Sequence, residues 1–372
     1  MRFVPPLLAQ RASRIKKFEC MGKIYKSFYP QIYNLFNLWQ AFVKASKGRH
    51  SHPSIAAFEY NLEPELIRLR DELQNETYMP GGYRSFTVHE PKRRRISAAP
   101  FRDRVVHHAL MNVIGPMLER KFIHDSYANQ VGKGTHKALD RCTYFMRRYD
   151  YVLPCDVRQF FPSIDHEILK SILANTIKDE RVMKLAGKII ASGEGVLKDE
   201  YEMIYFAGDD LFSVNRLRGL PIGNLTSQFW ANVYLNELDQ FVKQKLKVRA
   251  YVRYVDDFVL FSDDKKELND WRGAVIDFLA SLRLTIHEES AQARPAWKGI
   301  TYLGFIVFPE HRRLKPSKGY AFRRRWRHFY SMHKEGRMNS EELKIHAVAW
   351  ANHARHGDTW NLRGKILNSV NL

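Results

Sequence analysis

Tyr254-Val255-Asp256-Asp257 constrains this chain more than any other stretch. Two apolar, strand-like runs flank it, Ala250-Tyr251-Val252-Arg253 and Phe258-Val259-Leu260-Phe261, so the pattern predicts a buried hairpin with two carboxylates at its tip. A rigid tip of that kind is a way to hold metal. A third acid, Asp156, ends the upstream strand-like run Tyr151-Val152-Leu153-Pro154-Cys155. Three carboxylates on neighbouring strands repel one another strongly until divalent cations neutralise them. Two-metal phosphoryl transfer requires such an arrangement, one ion lowering the pKa of an attacking hydroxyl and the other stabilising departing pyrophosphate.

Paired aspartates usually mark solvated turns, and the chain supplies its own comparisons. Asp209-Asp210, following Phe206-Ala207-Gly208, and Asp263-Asp264, preceding Lys265-Lys266, lack the apolar framing and read as surface loops.

Charge names the class of partner. Across 372 residues, 60 Lys and Arg stand against 40 Asp and Glu, a net charge of +20 that is an electrostatic footprint for a polyanion, nucleic acid first. The excess is clustered in Lys92-Arg93-Arg94-Arg95 and Arg323-Arg324-Arg325-Trp326-Arg327, near opposite ends of the chain, which favours a groove over an even coat of charge. Cys20, Cys142 and Cys155 show no paired spacing, so neither a disulfide scaffold nor a zinc site is expected, and a reducing cytosol fits. Apolar runs are too short to span a bilayer, and Phe3 to Ala9 lacks a signal-peptide cleavage pattern, so a soluble protein with no membrane partner is expected. Met21-Gly22-Lys23 is an alternative start that would leave what precedes it as a disordered extension.

The length allows two or three substructures. Ile24, Phe28, Ile32, Leu35, Leu38, Trp39 and Phe42 predict one amphipathic helix over residues 24–48, and a second begins near Glu63-Pro64-Glu65 and ends before Gly81-Gly82. Tyr83 to His89 and Arg95 to Ala98 alternate like two strands joined by a basic turn from Pro91 to Arg94, a positively charged finger. Residues 102–121 and 136–149 read helical. Gly132-Lys133-Gly134 between them reads as a tight turn, being too short for a phosphate loop. Ser163-Ile164-Asp165-His166-Glu167 looks like a capped helix start. Strands and helices therefore interleave around the acids, giving a mixed α/β (α+β) body. Beyond a last strand-like run, Tyr302-Leu303-Gly304-Phe305-Ile306, residues 311–327 turn densely basic with Tyr320, Phe322 and Trp326 interleaved, and the remainder is mostly helical. A helical nucleic-acid clamp is expected, with Arg on phosphate and the aromatics either stacking on bases or holding the clamp together.

In this order the motifs resemble those of a reverse transcriptase. Asp156-Val157-Arg158-Gln159-Phe160-Phe161 is similar to that family's first palm motif, Gly219-Leu220-Pro221-Ile222-Gly223-Asn224-Leu225-Thr226-Ser227-Gln228 to its nucleotide-pocket motif, and Tyr302-Leu303-Gly304 to its primer-grip strand. The resemblance runs from about residue 24 to the end. It implies a right-hand polymerase: an extension and helix over 1–60, fingers over 61–150, a palm over 151–309 whose antiparallel sheet carries the acids, and a basic helical thumb over 310–372. A helical fingers-palm insertion is expected at about 179–218. Most reverse transcriptases of bacterial mobile introns carry Gln-Gly followed by Ser-Pro in the pocket motif, whereas this chain has Ile222-Gly223 and Ser227-Gln228. That substitution resembles the enzymes of diversity-generating retroelements, which copy a template RNA with frequent errors at adenines. Trp350-Ala351-Asn352-His353-Ala354 and Asp358-Thr359-Trp360-Asn361-Leu362 also look like their thumb. That group acts with a small basic helical-bundle accessory protein, the accessory variability determinant. The resemblance implies the same partner here, beside template RNA, the cDNA and primer duplex, and dNTPs.

Residue roles follow from the resemblance. Asp156 and Asp256 hold two Mg²⁺ ions, with Mn²⁺ as a substitute, helped by the backbone carbonyl of Val157, while Asp257 lies beside them in a less direct role. Phe161 abuts the sugar of the incoming nucleotide and rejects a 2′-hydroxyl, with Phe160 as its competitor. Lys92 and Arg94 meet the triphosphate, Arg94 also lying flat against the base. Ile222, Gly223 and Gln228 shape the nucleotide pocket, and Tyr254, Leu303, Gly304, Arg323, Arg324 and Arg325 face primer and template. Ile222 offers only shape where a Gln can hydrogen-bond, so the nascent base pair loses a polar constraint and mispairing becomes easier. In one respect the chain departs from the family: where a Lys is proposed to protonate pyrophosphate, it has Ile286-His287-Glu288-Glu289, leaving that role to His287 or to no side chain. Other readings are a reverse transcriptase of a retron, CRISPR-associated or phage-defence system, and a non-catalytic RNA-binding protein on a polymerase scaffold. Intron splicing is less expected, because the chain stops after one short thumb.

Overall fold

A computed structural model describes residues 27–88 and 94–370. The single helix expected over 24–48 is two: α1 (Tyr29–Ile32) and α2 (Leu35–Ser46). Asn34 leaves helical geometry between them, and its side-chain oxygen accepts from Phe36 N at 2.9 Å, capping the second helix. Ile24 lies outside the described residues. Helices α3 (Pro53–Tyr60), α4 (Leu62–Gln74) and α5 (Phe101–Glu119) follow. Between the last two, β1 (Arg84–Val88) and β2 (Arg94–Ala98) pair antiparallel as expected, from Arg84 opposite Ala98 to Val88 opposite Arg94. The turn joining them, with Lys92, lies outside the described residues.

After α6 (Thr135–Met146) the chain enters β3 (Tyr151–Asp156). Gly132-Lys133-Gly134 is a turn with both glycines at positive φ, and the Lys133 ammonium donates to the carbonyls of His124 (2.8 Å) and Ser126 (2.7 Å). Next come α7 (Phe160–Ser163), α8 (His166–Ala174), capped by Asp165, and α9 (Glu180–Ala191). The expected helical insertion is helical only this far, because its remainder is loop with short 3-10 turns at Lys198–Glu200 and Leu211–Asn215. Asp209 there is no solvated turn residue: Arg283 donates to it (Nη1 to Oδ2, 2.9 Å) and holds its buried carboxyl well below the usual range.

Helix α10 (Leu225–Gln240) leads to the hairpin of β4 (Ala250–Tyr254) and β5 (Asp257–Ser262), and α11 (Lys265–Ser281) to the short β6 (Arg294–Pro295). These strands form an antiparallel sheet in the order β4-β5-β3-β6. Leu153, Cys155, Tyr251, Phe258 and Leu260 enter the core under α10, while Val152, Ala250, Val252, Val259 and Phe261 enter a second core shared with the C-terminal helices. Covering both faces explains why the strands read as continuous apolar runs instead of alternating ones.

The last strand-like run is also broken in two. Leu303 (φ +47°) and Gly304 (φ +88°) make a tight turn between β7 (Ile300–Tyr302) and β8 (Phe305–Val307), and β9 (Arg312–Leu314) completes a small sheet. Helices α12 (Pro316–Lys334), α13 (Ser340–Ala354) and α14 (Trp360–Leu367) close the chain. Phe322 stacks on Trp350 at 4.2 Å and the Trp326 indole donates to Leu367 O at 3.1 Å, so these aromatics of the basic stretch are core, while Tyr320 is exposed. No helix among the described residues is long and apolar enough to cross a membrane.

Candidate active site

The three acids share one end of the central sheet. Asp156, the last residue of β3, stands directly opposite Asp257, the first of β5, and Asp256 occupies the turn. Cross-strand partners lie about 5 Å apart at Cβ. Val157 N donates to Asp256 O at 3.3 Å, tying the turn to the end of β3. A bridge between Val157 and Ile286 uses Arg158 N to Thr285 O (2.8 Å) and His287 N to Asp156 O (2.9 Å), leaving the Val157 carbonyl outside it. Burial, and then the charge of Asp156, push the Asp256 carboxyl up to about 6. Among the described residues no three His, Cys, Asp or Glu side chains are gathered into a group that could hold an ion. Asp156 and Asp256, whose charges interact, would with a main-chain carbonyl make an all-oxygen donor set of the kind hard divalent cations take.

A buried network below the turn was not anticipated from sequence. Arg253 and Asp239 are both fully buried and bonded twice, Nε to Oδ1 at 2.7 Å and Nη2 to Oδ2 at 2.6 Å, and Tyr251 Oη donates to the same carboxylate at 2.8 Å. The remaining Arg253 nitrogen donates to Asn232 Oδ1 (3.2 Å) and to the carbonyl of Val255 (2.9 Å). Val255 sits at φ +56°, an uncommon conformation for a β-branched residue, and needs such an anchor. A charge inside an otherwise apolar strand was the available signal for Arg253.

The other expected site residues are placed as follows. Arg94 is exposed at the start of β2, close enough for its charge to lower the Asp256 carboxyl against the two larger causes; Lys92 lies outside the described residues. Phe160 is buried, whereas Phe161 is only partly buried against it, leaving Phe161 the accessible ring of the two. Ile222 O accepts from Ser97 N (2.8 Å), and the buried Asn224 side chain accepts from Ala99 N (3.1 Å) and donates to Ser97 O (2.9 Å), fastening the pocket loop to β2. Gly223 has φ +114°, and a Cβ there would meet Ile96 Cγ2 at 2.8 Å. Gln228 is partly buried one turn into α10. Tyr254 Oη accepts from Thr135 Oγ1 at 3.1 Å. Leu303 and Gly304 form the turn described above, and Arg323, Arg324 and Arg325 are exposed on α12. The exposed His287 ring lies 4.0 Å from Asp156 Oδ2, beside the acids.

Residues 88–307 match the family model described as reverse transcriptase (RNA-dependent DNA polymerase). The chain is 24% identical over 311 residues to Protein YkfC of Escherichia coli, covering 70% of this chain and 76% of that protein. It is 25% identical over 186 residues to the group II intron-encoded protein LtrA of Lactococcus lactis subsp. cremoris, covering 49% of this chain but only 29% of LtrA. A solved apo telomerase from Candida tropicalis, truncated from its C-terminal domain, aligns at 12% identity and TM-score 0.46, covering 65% of this chain and 58% of that one.

Proposed function

The chain belongs to the reverse transcriptase family, and from that premise we propose that it is an RNA-directed DNA polymerase of a diversity-generating retroelement, making error-prone, adenine-mutagenised cDNA from a template-repeat RNA. The observation that carries the polymerase reading is the pairing of Asp156 with Asp257 across β3 and β5, with Asp256 in the adjoining turn. In this reading residues 61–150 are fingers, 151–309 palm and 310–372 thumb.

Mg²⁺ held by Asp156, Asp256 and the Val157 carbonyl, with Asp257 beside them, would lower the pKa of the primer 3′-hydroxyl and neutralise charge on the leaving pyrophosphate. Arg94, with Lys92, orients the triphosphate across from the acids. Phe161 closes the sugar side, so Phe161→Ala should raise ribonucleotide incorporation by on the order of tenfold to a hundredfold. Single-nucleotide extension with dNTP and rNTP pairs measures this, and unchanged discrimination would move the gate elsewhere. Gly223 permits close approach of the pocket loop to β2, and Ile222 bounds the nascent pair by shape alone.

Ile222 and Gln228 support the retroelement type, and with it a small basic helical-bundle accessory partner. Purified protein with Mg²⁺, cognate RNA and that partner should make cDNA enriched in changes opposite adenine, and Ile222→Gln should lower that error frequency severalfold. Faithful copying by the unaltered protein would refute the subtype. A second reading, an intron-encoded enzyme, is favoured by the similarity to LtrA. The two part at the genome, because a near-repeat pair differing at adenines accompanies only the first.

A further inference from the structure

Three imidazoles meet where the C-terminal helices rest on the start of α6. His136, the second residue of α6, stacks on His356 with ring centroids 3.5 Å apart and planes 13° from parallel, and His353 of α13 lies 5.5 Å from it. Close packing fixes the segment that carries the partner rings. A Cβ at Gly357 would meet Arg312 O and the Phe305 ring, each at 3.1 Å, Asp358 N donates to Arg312 O at 2.7 Å, and the Phe305 ring lies 5.2 Å from His353. His136 Nδ1 is buried and meets no hydrogen-bond partner among the described residues, so the ring is held by its faces and not by a proton on that nitrogen.

The surroundings favour neutral rings. Arg312 of β9 and Lys318 of α12 add positive charge, and Asp140, one turn along α6, pulls the other way but is bonded by Arg312 (Nη2 to Oδ1, 2.7 Å). Burial first, then the neighbouring imidazoles, hold His136 and His353 below the ordinary histidine value. The unfolded chain therefore takes protons first as acidity rises, so the contact contributes in full above about pH 6.5 and is lost as pH falls below it. Two protonated rings at stacking distance would also repel.

What the cluster holds gives it a role. Thr135, the residue before His136, donates to Tyr254 Oη at 3.1 Å, and Tyr254 opens the turn that carries Asp256. We propose that His136 is a positioning residue: its neutral stack on His356 latches the C-terminal helices to the first turn of α6 and so fixes Thr135 and Tyr254 beside the acids, and protonation releases it. The inference rests on the polymerase reading for what is positioned, whereas the latch itself is measurable without synthesis.

The test compares the full chain with His136→Phe/His356→Phe, which keeps two stacked rings and removes their titration. Amide hydrogen exchange, corrected for its intrinsic pH dependence, is followed over residues 135–142 and 340–356 between pH 7.5 and 5.5. Protection of both segments should fall by on the order of tenfold in the unaltered chain and by less than about twofold in the double variant. Single-nucleotide extension should follow, with kcat falling more steeply with acidity in the unaltered chain, so that the ratio of variant to unaltered kcat rises by about the same factor. The control His346→Phe, at a ring of α13 that stacks on Phe329 at 4.2 Å, should keep the unaltered profile. His356→Ala should open both segments already at pH 7.5. An acid loss that persists in the double variant, or full protection in His356→Ala, would overturn the latch. Identical extension profiles beside an exchange difference would overturn the positioning role. A chain that makes no DNA at any pH would instead refute the polymerase reading, and exchange would still decide the latch.

Discussion

Asp256→Asn is expected to reduce DNA synthesis by at least on the order of a thousandfold while leaving RNA binding within about twofold. The amide keeps the shape of the turn but removes the charge that, in the proposed mechanism, joins Asp156 in holding a cation. On the proposed reading template affinity rests instead on basic side chains spread along the chain, and should keep a steep salt dependence. The same substitution should stabilise the metal-free protein. Burial and Asp156 lift the Asp256 carboxyl from 3.8 to about 6 in the folded state, so the group is neutral in both states only well below pH 3.8. As pH rises toward 6 and beyond, the unfolded chain ionises first and folding stability falls, by at most about 3 kcal/mol and less where solvent screens the pair. Asparagine escapes that loss. Melting in EDTA at neutral pH should therefore rise for the variant, and added Mg²⁺ should stabilise it less than the unaltered protein. Retained synthesis would refute the metal assignment, and equal loss of RNA binding would show a damaged scaffold instead.

Much of this site was legible because its elements are short-range. The Tyr254 to Asp257 hairpin and the strand ending at Asp156 announce themselves by apolar runs that stop at an acid, and the fingerlike pair of strands by alternation on either side of a basic turn. What stayed hidden depends on groups distant in sequence. Asp209 looks like any loop acid until Arg283, far along the chain, is packed against it. Asp239 sits in a helix buried on nearly every side, so no periodicity marks it as the partner of Arg253. Breaks are equally hard to see: nothing in the apolar spacing from Phe28 to Phe42 reveals that Asn34 leaves the helix to cap the next one. The Leu303-Gly304 turn was obscured because Leu, not Asn or Gly, takes the first left-handed position.

The Arg253–Asp239 pair separates stability from positioning. Asp239→Ala should destabilise the fold by about 3–5 kcal/mol, since it strands a fully buried guanidinium and removes the acceptor of Tyr251. Asp239→Leu/Arg253→Met removes both charges together and should recover most of that loss, because the desolvation cost of the pair disappears with it. Activity should not recover. Arg253 is also the donor that holds the Val255 carbonyl at 2.9 Å, and Val255 at φ +56° sets where the next residue, Asp256, points. An apolar Met supplies no such donor, so the turn can relax toward the β region and the acids drift apart. Misplacement of that order should lower kcat on the order of a hundredfold with KM for dNTP little changed. Urea unfolding and steady-state extension on the same three proteins decide it. A double variant both stable and fully active would reduce Arg253 to a packing residue, whereas one no more stable than Asp239→Ala would mean that desolvation of the pair is not the dominant cost. In the expected outcome a buried cation, touching neither primer nor nucleotide, fixes the geometry on which the metal site depends.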